Sequence, residues 1–162
     1  MLSVSVATQV DSELVAAMRR LVPQLSSSAS LPGPEEVGEI VSAGATILLL
    51  ARDDSLPAVE SVGGDGSGSA GPIVGFLTLV IFRIPTGLRS WVEDVVVDKA
   101  ARRRGVGEAL TNAAVELARS RGAVTVDLTS RPGREAANNL YQKVGFELRE
   151  TNVYRLNLPG KA

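Results

Sequence analysis

Apolar and polar positions change period several times along the chain, and each change marks an element. Leu2–Ala7 alternates apolar and small polar residues, the period-two pattern of a half-buried strand. Asp11 suits a helix N-cap, and Leu14, Val15, Met18, Leu21 and Val22 then recur at helical spacing. Pro23 and the Ser26–Ser30 run are expected to end that helix. A shorter helix follows. Pro34 suits its first turn, Glu35 and Glu36 favour the positive end of its dipole, Val37, Ile40 and Val41 face inward, and Gly44 closes it. Thr46–Arg52 and Ile73–Phe82 are unbroken β-rich runs, which predicts neighbouring antiparallel strands buried on both faces.

The second half is more regular. Ser90–Asp98 reads as a strand, and Gly105–Arg121 as a helix with Val106, Leu110, Ala113 and Leu117 on one stripe. Ala123–Ser130 reads as a strand, Arg134–Val144 as a helix, and Phe146–Glu150 with Val153–Leu158 as a final pair of strands. The strand–helix–strand unit around Gly105–Arg121 predicts a right-handed crossover and a locally parallel pair, while the meander before it predicts antiparallel pairing. The expected fold class is α/β of mixed, α+β character. One domain spans residues 1–162, with a mixed central sheet of about seven strands covered by about four helices. Residues 53–72 include GGDGSGSAG and have no core to bury, so they read as a flexible hairpin insertion or, alternatively, a lid that contacts substrate.

Composition narrows the chemistry. A chain of 162 residues, 44% apolar, suits one folded domain. Its 17 basic against 18 acidic side chains give no basic surplus, so nucleic acid is not an expected partner. Cysteine and histidine are both absent, which removes disulfides, thiolate metal clusters, His-metal sites and every Ser-His or Cys-His nucleophile. Acid–base work then falls to carboxylates, Tyr, Lys, backbone or water, and no metal is expected. The opening MLSVSVATQV lacks the basic start and apolar run of a secretory signal. The longest apolar stretch, around Ile73–Ile84, falls short of the ~20 residues of a membrane helix, so a cytoplasmic location away from membranes is the expectation.

The most informative segment is EDVVVDKAARRRGVGEAL, from Glu93 to Leu110. Arg102, Arg103 and Arg104 precede a helix that opens at Gly105-Val106-Gly107-Glu108. Three arginines are unfavourable there, because a helix N-terminus prefers negative charge by roughly 0.3–1 kcal/mol per charge. An anion would resolve the conflict. Gly105 and Gly107 lack side chains, so a ligand could approach the backbone, and first-turn N–H groups could hold a pyrophosphate between the arginines. A solvated basic turn built for tight strand-to-helix geometry is the alternative. Neither a dinucleotide fingerprint nor a P-loop fits, since Leu110 stands where the former needs glycine and no Gly-Lys-Ser/Thr occurs.

Arg102-x-x-Gly105-x-Gly107 resembles the Arg/Gln-x-x-Gly-x-Gly/Ala signature of the GNAT superfamily of N-acetyltransferases. Asn138-Asn139-Leu140-Tyr141-Gln142-Lys143-Val144-Gly145-Phe146 is similar to that family's closing N-x-x-Y-x-x-x-G-F run, and the order of elements agrees from Leu2 to Leu158. The resemblance implies acetyl-CoA as co-substrate, with its pyrophosphate on Arg102–Glu108 and its pantetheine arm against Val95, Val96 and Val97 of a splayed middle strand. Backbone N–H groups of that stretch would stabilise the oxyanion. It implies Glu93 as general base, Tyr141 as the acid for the departing thiolate, and Asn138 as a contact to the arm. Read as residues alone, Glu93 could be a structural carboxylate and Tyr141 an edge-of-core aromatic. On strict alternation Glu93 shares a face with Val95, while Asp94 points oppositely unless a bulge intervenes.

The function this implies is direct acetyl transfer to a primary amine in a ternary complex, because no Cys or His is available for an acyl-enzyme. A non-catalytic acyl-CoA-binding or sensing module is the competing reading. A small amine, an amino acid, an antibiotic or a protein N-terminus all remain possible acceptors. A homodimer is expected only as the commonest symmetric assembly.

Overall fold

The computed structural model describes residues 1–57 and 71–158, so most of the Gly/Ser-rich segment 53–72 lies outside the described residues. The elements run β1 (Leu2–Val6), α1 (Ser12–Leu25), α2 (Pro34–Ser42), β2 (Thr46–Asp53), β3 (Ile73–Ile84), β4 (Gly87–Val97), a 3-10 turn (Lys99–Ala101), α3 (Val106–Ser120), β5 (Val126–Leu128) and α4 (Glu135–Val144). Five strands form one sheet in the order β1-β2-β3-β4-β5. The first three pairings are antiparallel and β4–β5 is parallel, the mixed sheet that the sequence predicts.

Each face of the sheet carries its own apolar layer. Leu49, Ala51, Val74, Leu77 and Leu79 pack with Val106, Leu110, Ala114 and Ala118 of α3. Leu48, Leu50, Ile73 and Phe76 pack with Leu14, Met18 and Leu21 of α1 and Val37 of α2. Alternate residues of β2 and β3 therefore enter opposite layers, and this is why both strands read as unbroken apolar runs.

Several expected boundaries shift. Asp11 caps α1 as predicted, its Oδ1 accepting from the Leu14 N–H at 2.7 Å. However, α1 continues through Pro23 to Leu25, since a proline near the end interrupts little of the hydrogen-bond ladder. β5 is shorter than the predicted Ala123–Ser130 strand. The larger correction concerns the last pair of strands, because residues 146–158 form neither helix nor strand, leaving five strands among the described residues rather than seven. Leu148 is 95% exposed, and Val153, Tyr154 and Leu156 are also exposed. Strand propensity reflects packing against neighbouring strands, and among the described residues no strand pairs with this segment. It meets β5 through an ion pair between Arg149 and Asp127 at 3.6 Å. Among the described residues, no helix is long and apolar enough to cross a membrane.

Candidate active site

The site begins with an irregularity in β4. Thr78 of β3 pairs with Glu93, and Phe76 pairs with Val96. The single residue Leu77 therefore spans two residues of β4, Asp94 and Val95. Asp94 takes a left-handed conformation, φ 51°, the backbone of a β-bulge. The bulge resets the alternation. Val92 and Val95 both pack in the α3 layer, and Val96 enters the α1 layer. Glu93 and Val95, which share a face on strict alternation, thus lie on opposite faces. The Glu93 carboxylate accepts a hydrogen bond from Trp91 Nε1 at 2.9 Å.

Past the bulge the sheet opens. The β4–β5 ladder consists of Ser90–Val126, Trp91–Asp127 and Val92–Leu128, and ends there. A splay is expected of the middle strands; here it parts β4 from β5, the edge strand of the five-stranded sheet. A cleft of about 120 Å³ occupies the gap, with Glu93, Asp94 and Val95 on one wall, Leu128 and Thr129 on the other, and Tyr141 reaching in from α4. Residues 93–97 of β4 have no ladder partner on β5, and Glu93–Val95 line the cleft there.

Tyr141 is half-buried, and burial pushes its phenol above the ordinary value of 10.0 against the opposing pull of the Arg134 guanidinium. Its hydroxyl stays protonated at neutral pH and can donate. Its ring meets Phe146 edge-on, centroids 5.9 Å apart, and α4 closes through a bond from the Phe146 N–H to the Tyr141 carbonyl at 2.9 Å. The closing sequence run therefore has a local purpose: it fixes the tyrosine ring. Asn138 donates from Nδ2 to the carbonyls of Arg131 and Pro132 at 3.1 and 3.3 Å, which ties α4 to the loop after β5.

The basic corner follows the C-terminal end of β4, past the bulge and the 3-10 turn. The chain turns through left-handed conformations at Arg103, φ 63°, and Gly105, φ 81°. Glycine adopts the latter without a Cβ penalty. The first α3 bond runs from the Ala109 N–H to the Gly105 carbonyl, leaving the N–H groups of Gly105, Val106, Gly107 and Glu108 without helical acceptors. Val106 is buried and anchors this turn.

The three arginines are not equivalent. Arg104 Nε lies 2.9 Å from Asp53 Oδ2 and its guanidinium also contacts the Ser55 hydroxyl. Hydrogen bonds from Ser55 and then Arg104 hold the Asp53 carboxyl down at about 2. Arg102 and Arg103 are exposed and in no ion pair among the described residues. Glu108 accepts from Lys143 Nζ at 2.7 Å, linking α3 to α4. Gly107 faces protein, because a Cβ there would sit 3.1 Å from Leu140 Cδ2.

Sequence reasoning missed Arg20 and Gln24. Arg20 Nε pairs with Asp98 at 3.0 Å and its Nη2 donates to the Ile73 carbonyl at 2.6 Å. Gln24 accepts from the Lys99 N–H at 2.9 Å. Burial alone would raise the Asp98 carboxyl, but hydrogen bonds from the Ala100 N–H and Arg20 bring it below its ordinary value. One face of α1 thereby holds the strand end that leads into the basic corner. The only signal in the sequence was the i, i+4 spacing of two polar residues beside an apolar stripe.

A second, wider groove of about 500 Å³ lies between α1, the segment after it and the α1 face of the sheet. Asp94 lines both this groove and the cleft. Thr129 lines the cleft, Arg131 lines the groove, and between them Ser130 carries a buried hydroxyl with no hydrogen-bond partner among the described residues.

The sequence model of the acetyltransferase (GNAT) family matches residues 35–146. Over 75 residues, 46% of this chain and 49% of the relative, the chain is 32% identical to N-alpha-acetyltransferase 30 of Schizosaccharomyces pombe. Over 55 residues, 34% of this chain and 32% of the relative, it is 47% identical to glucosamine 6-phosphate N-acetyltransferase 1 of Oryza sativa subsp. japonica. The matches thus span half or less of these curated relatives. Among solved structures, an aminoglycoside acetyltransferase from an uncultured soil metagenomic sample, in complex with trehalose, superposes with a TM-score of 0.76. It is 17% identical, and the alignment covers 98% of this chain and 97% of that one; at such identity the likeness concerns the fold.

Proposed function

The chain belongs to the acetyltransferase (GNAT) family, and on that premise we propose that it is an acyltransferase moving the acetyl group of acetyl-CoA to a primary amine within a ternary complex. The observation that carries this reading is the cleft at the β4 bulge. It opens where β4 and β5 part, is lined by a tyrosine and two carboxylates, and lies on the strand that runs into the basic corner. The family uses acetyl-CoA as co-substrate.

In this reading Arg102, Arg103 and the free N–H groups of Gly105–Glu108 hold the diphosphate, where charge-assisted bonds are strongest. Arg104, fastened to Asp53, braces the corner from behind. Val95, Val96 and Val97 present backbone to the pantetheine arm, and Asn138 lies at its side.

The amine nitrogen must lose a proton to attack, since a Lys-like amine has a pKa near ~10.4. Glu93 takes that proton, directly or through water. Attack on the thioester carbonyl forms a C–N bond and places negative charge on oxygen. Backbone N–H groups beside the bulge stabilise that charge, and losing one such donor typically costs about 10²–10³ in rate. Collapse breaks the C–S bond. Tyr141 gives its proton to the departing thiolate, an exchange between groups whose reference pKa values lie about 1.5 units apart.

The test is a screen of amines with acetyl-CoA, read by release of free thiol. Thiol released in step with amine consumption supports transfer. Stabilisation of the protein by acetyl-CoA with no thiol release from any amine would instead support a binding module.

A further inference from the structure

We infer that the acceptor is a small primary amine that also bears an anionic group, a carboxylate or a phosphate, together with an apolar portion. This rests on the transferase reading and adds to it that the wide groove, which shares Asp94 with the reaction cleft, is the acceptor side. Among the described residues, its charged lining consists of Asp94, Arg131 and Arg155. All three are exposed, and among the described residues none is in an ion pair. Their charges are therefore available to a ligand.

Their arrangement separates two ends. Asp94 lies on the bulge and lines the reaction cleft as well as the groove. A carboxylate at that junction attracts an ammonium toward the thioester. Arg131 follows β5 and Arg155 belongs to the C-terminal segment, and both line the groove but not the cleft. Two guanidiniums recognise a carboxylate or phosphate by charge-assisted, often bidentate, bonds. Met18, Val22 and Phe76 add an apolar wall. A zwitterionic molecule with a hydrophobic part satisfies every one of these surfaces.

The same charges disfavour a polycation. One carboxylate against two guanidiniums leaves the groove positive, and like charges brought together there repel. An aminoglycoside, the class of molecule after which the solved acetyltransferase compared above is named, carries several ammonium groups and would meet one favourable partner and two unfavourable ones.

The experiment compares matched pairs of acceptors with acetyl-CoA: an apolar α-amino acid against its amide, an apolar aminoalkyl phosphate against the corresponding amino alcohol, and an aminoglycoside. The expected result is a kcat/KM at least about tenfold higher for the anionic member of at least one pair, in line with a charged hydrogen bond. Which pair shows it tells carboxylate from phosphate. In an Arg131→Gln/Arg155→Gln variant that ratio should collapse toward unity, chiefly through KM. Both arginines are exposed, so an unchanged melting temperature checks the fold.

Equilibrium binding of the same amines to the CoA-loaded protein supplies a second readout. Anionic amines that bind in an arginine-dependent way but are never acetylated would keep the groove's ligand preference, overturn the acceptor role and refute the transferase reading. Preferential turnover of neutral or polycationic amines would overturn the inference and leave the transferase reading standing. Neither binding nor turnover of any anionic amine would also overturn it.

Discussion

A Cβ added to Gly107 would stand 3.1 Å from Leu140 Cδ2, so the helix that opens at the basic corner and the helix that carries Tyr141 meet where a methyl group fits only if the leucine yields. The glycine that reads as access for a ligand serves here to seat one helix on another. Corner and tyrosine are thereby mechanically joined.

Gly107→Ala should consequently act on chemistry more than on folding. Alanine gains about 1 kcal/mol of helix propensity over glycine, which offsets much of the crowding. Leu140 must yield by a few tenths of an ångström, and Tyr141 is its neighbour in sequence. Steady-state kinetics should show kcat falling about several-fold, since small misplacements of reacting groups are costly. Adding Leu140→Val should restore part of the loss; a double variant no better than Gly107→Ala would separate the two helices functionally.

Tyr141→Phe should lower kcat by ~10²–10⁴ while leaving CoA affinity near that of the wild type, the usual range for a lost general acid. The phenol pKa lies above 10.0, so its neutral, donating form persists through alkaline pH. A pH–rate profile should show no decline from tyrosine ionisation through neutral and mildly alkaline pH. A tyrosine-dependent fall near pH 8 would contradict the assignment.

Asp53 links stability to acid. Its folded carboxyl titrates at about 2 against an ordinary value of 3.8. The folded state therefore binds the proton less readily than the unfolded chain. The stabilisation is complete above the unfolded value and is lost as pH falls from there through about 2. Denaturant melts of wild type and Asp53→Asn should differ at pH 6 and converge toward pH 2. A gap that stays constant with pH would dissociate Asp53 from this linkage.

Arg20→Ala removes the partner of a largely buried carboxylate and a donor to the Ile73 carbonyl. Unfolding free energy should drop by about 1–3 kcal/mol, the usual cost of leaving buried polar groups unpaired. CoA affinity should weaken too, since Asp98 and Lys99 lead into the corner. Full retention of both properties would refute the role given to α1.

What the sequence disclosed depended on whether a signal was local. The α1 cap at Asp11, the two-sided burial of β2 and β3, and the helix after Gly105 are written in period and capping chemistry, and they formed as read. The bulge was not legible, because Glu93-Asp94-Val95-Val96-Val97 is compatible with either alternation and only pairing with Leu77 decides it. The expected strands at the C-terminal end failed for the opposite reason. Their apolar residues carry strand propensity, but partners supplied from elsewhere in the fold determine whether a strand forms. Arg20 escaped notice because an arginine on a helix reads as a solvated side chain until Asp98 is seen to face it.

The most direct test is calorimetric titration with CoA and with pantetheine, which lacks the diphosphate, on wild type and Arg102→Ala. CoA should bind far more tightly than pantetheine, and Arg102→Ala should weaken CoA about tenfold or more while barely moving pantetheine, the signature of a charge-assisted contact to the diphosphate. Equal affinities for the two ligands, or CoA binding indifferent to Arg102, would contradict a diphosphate site at the basic corner.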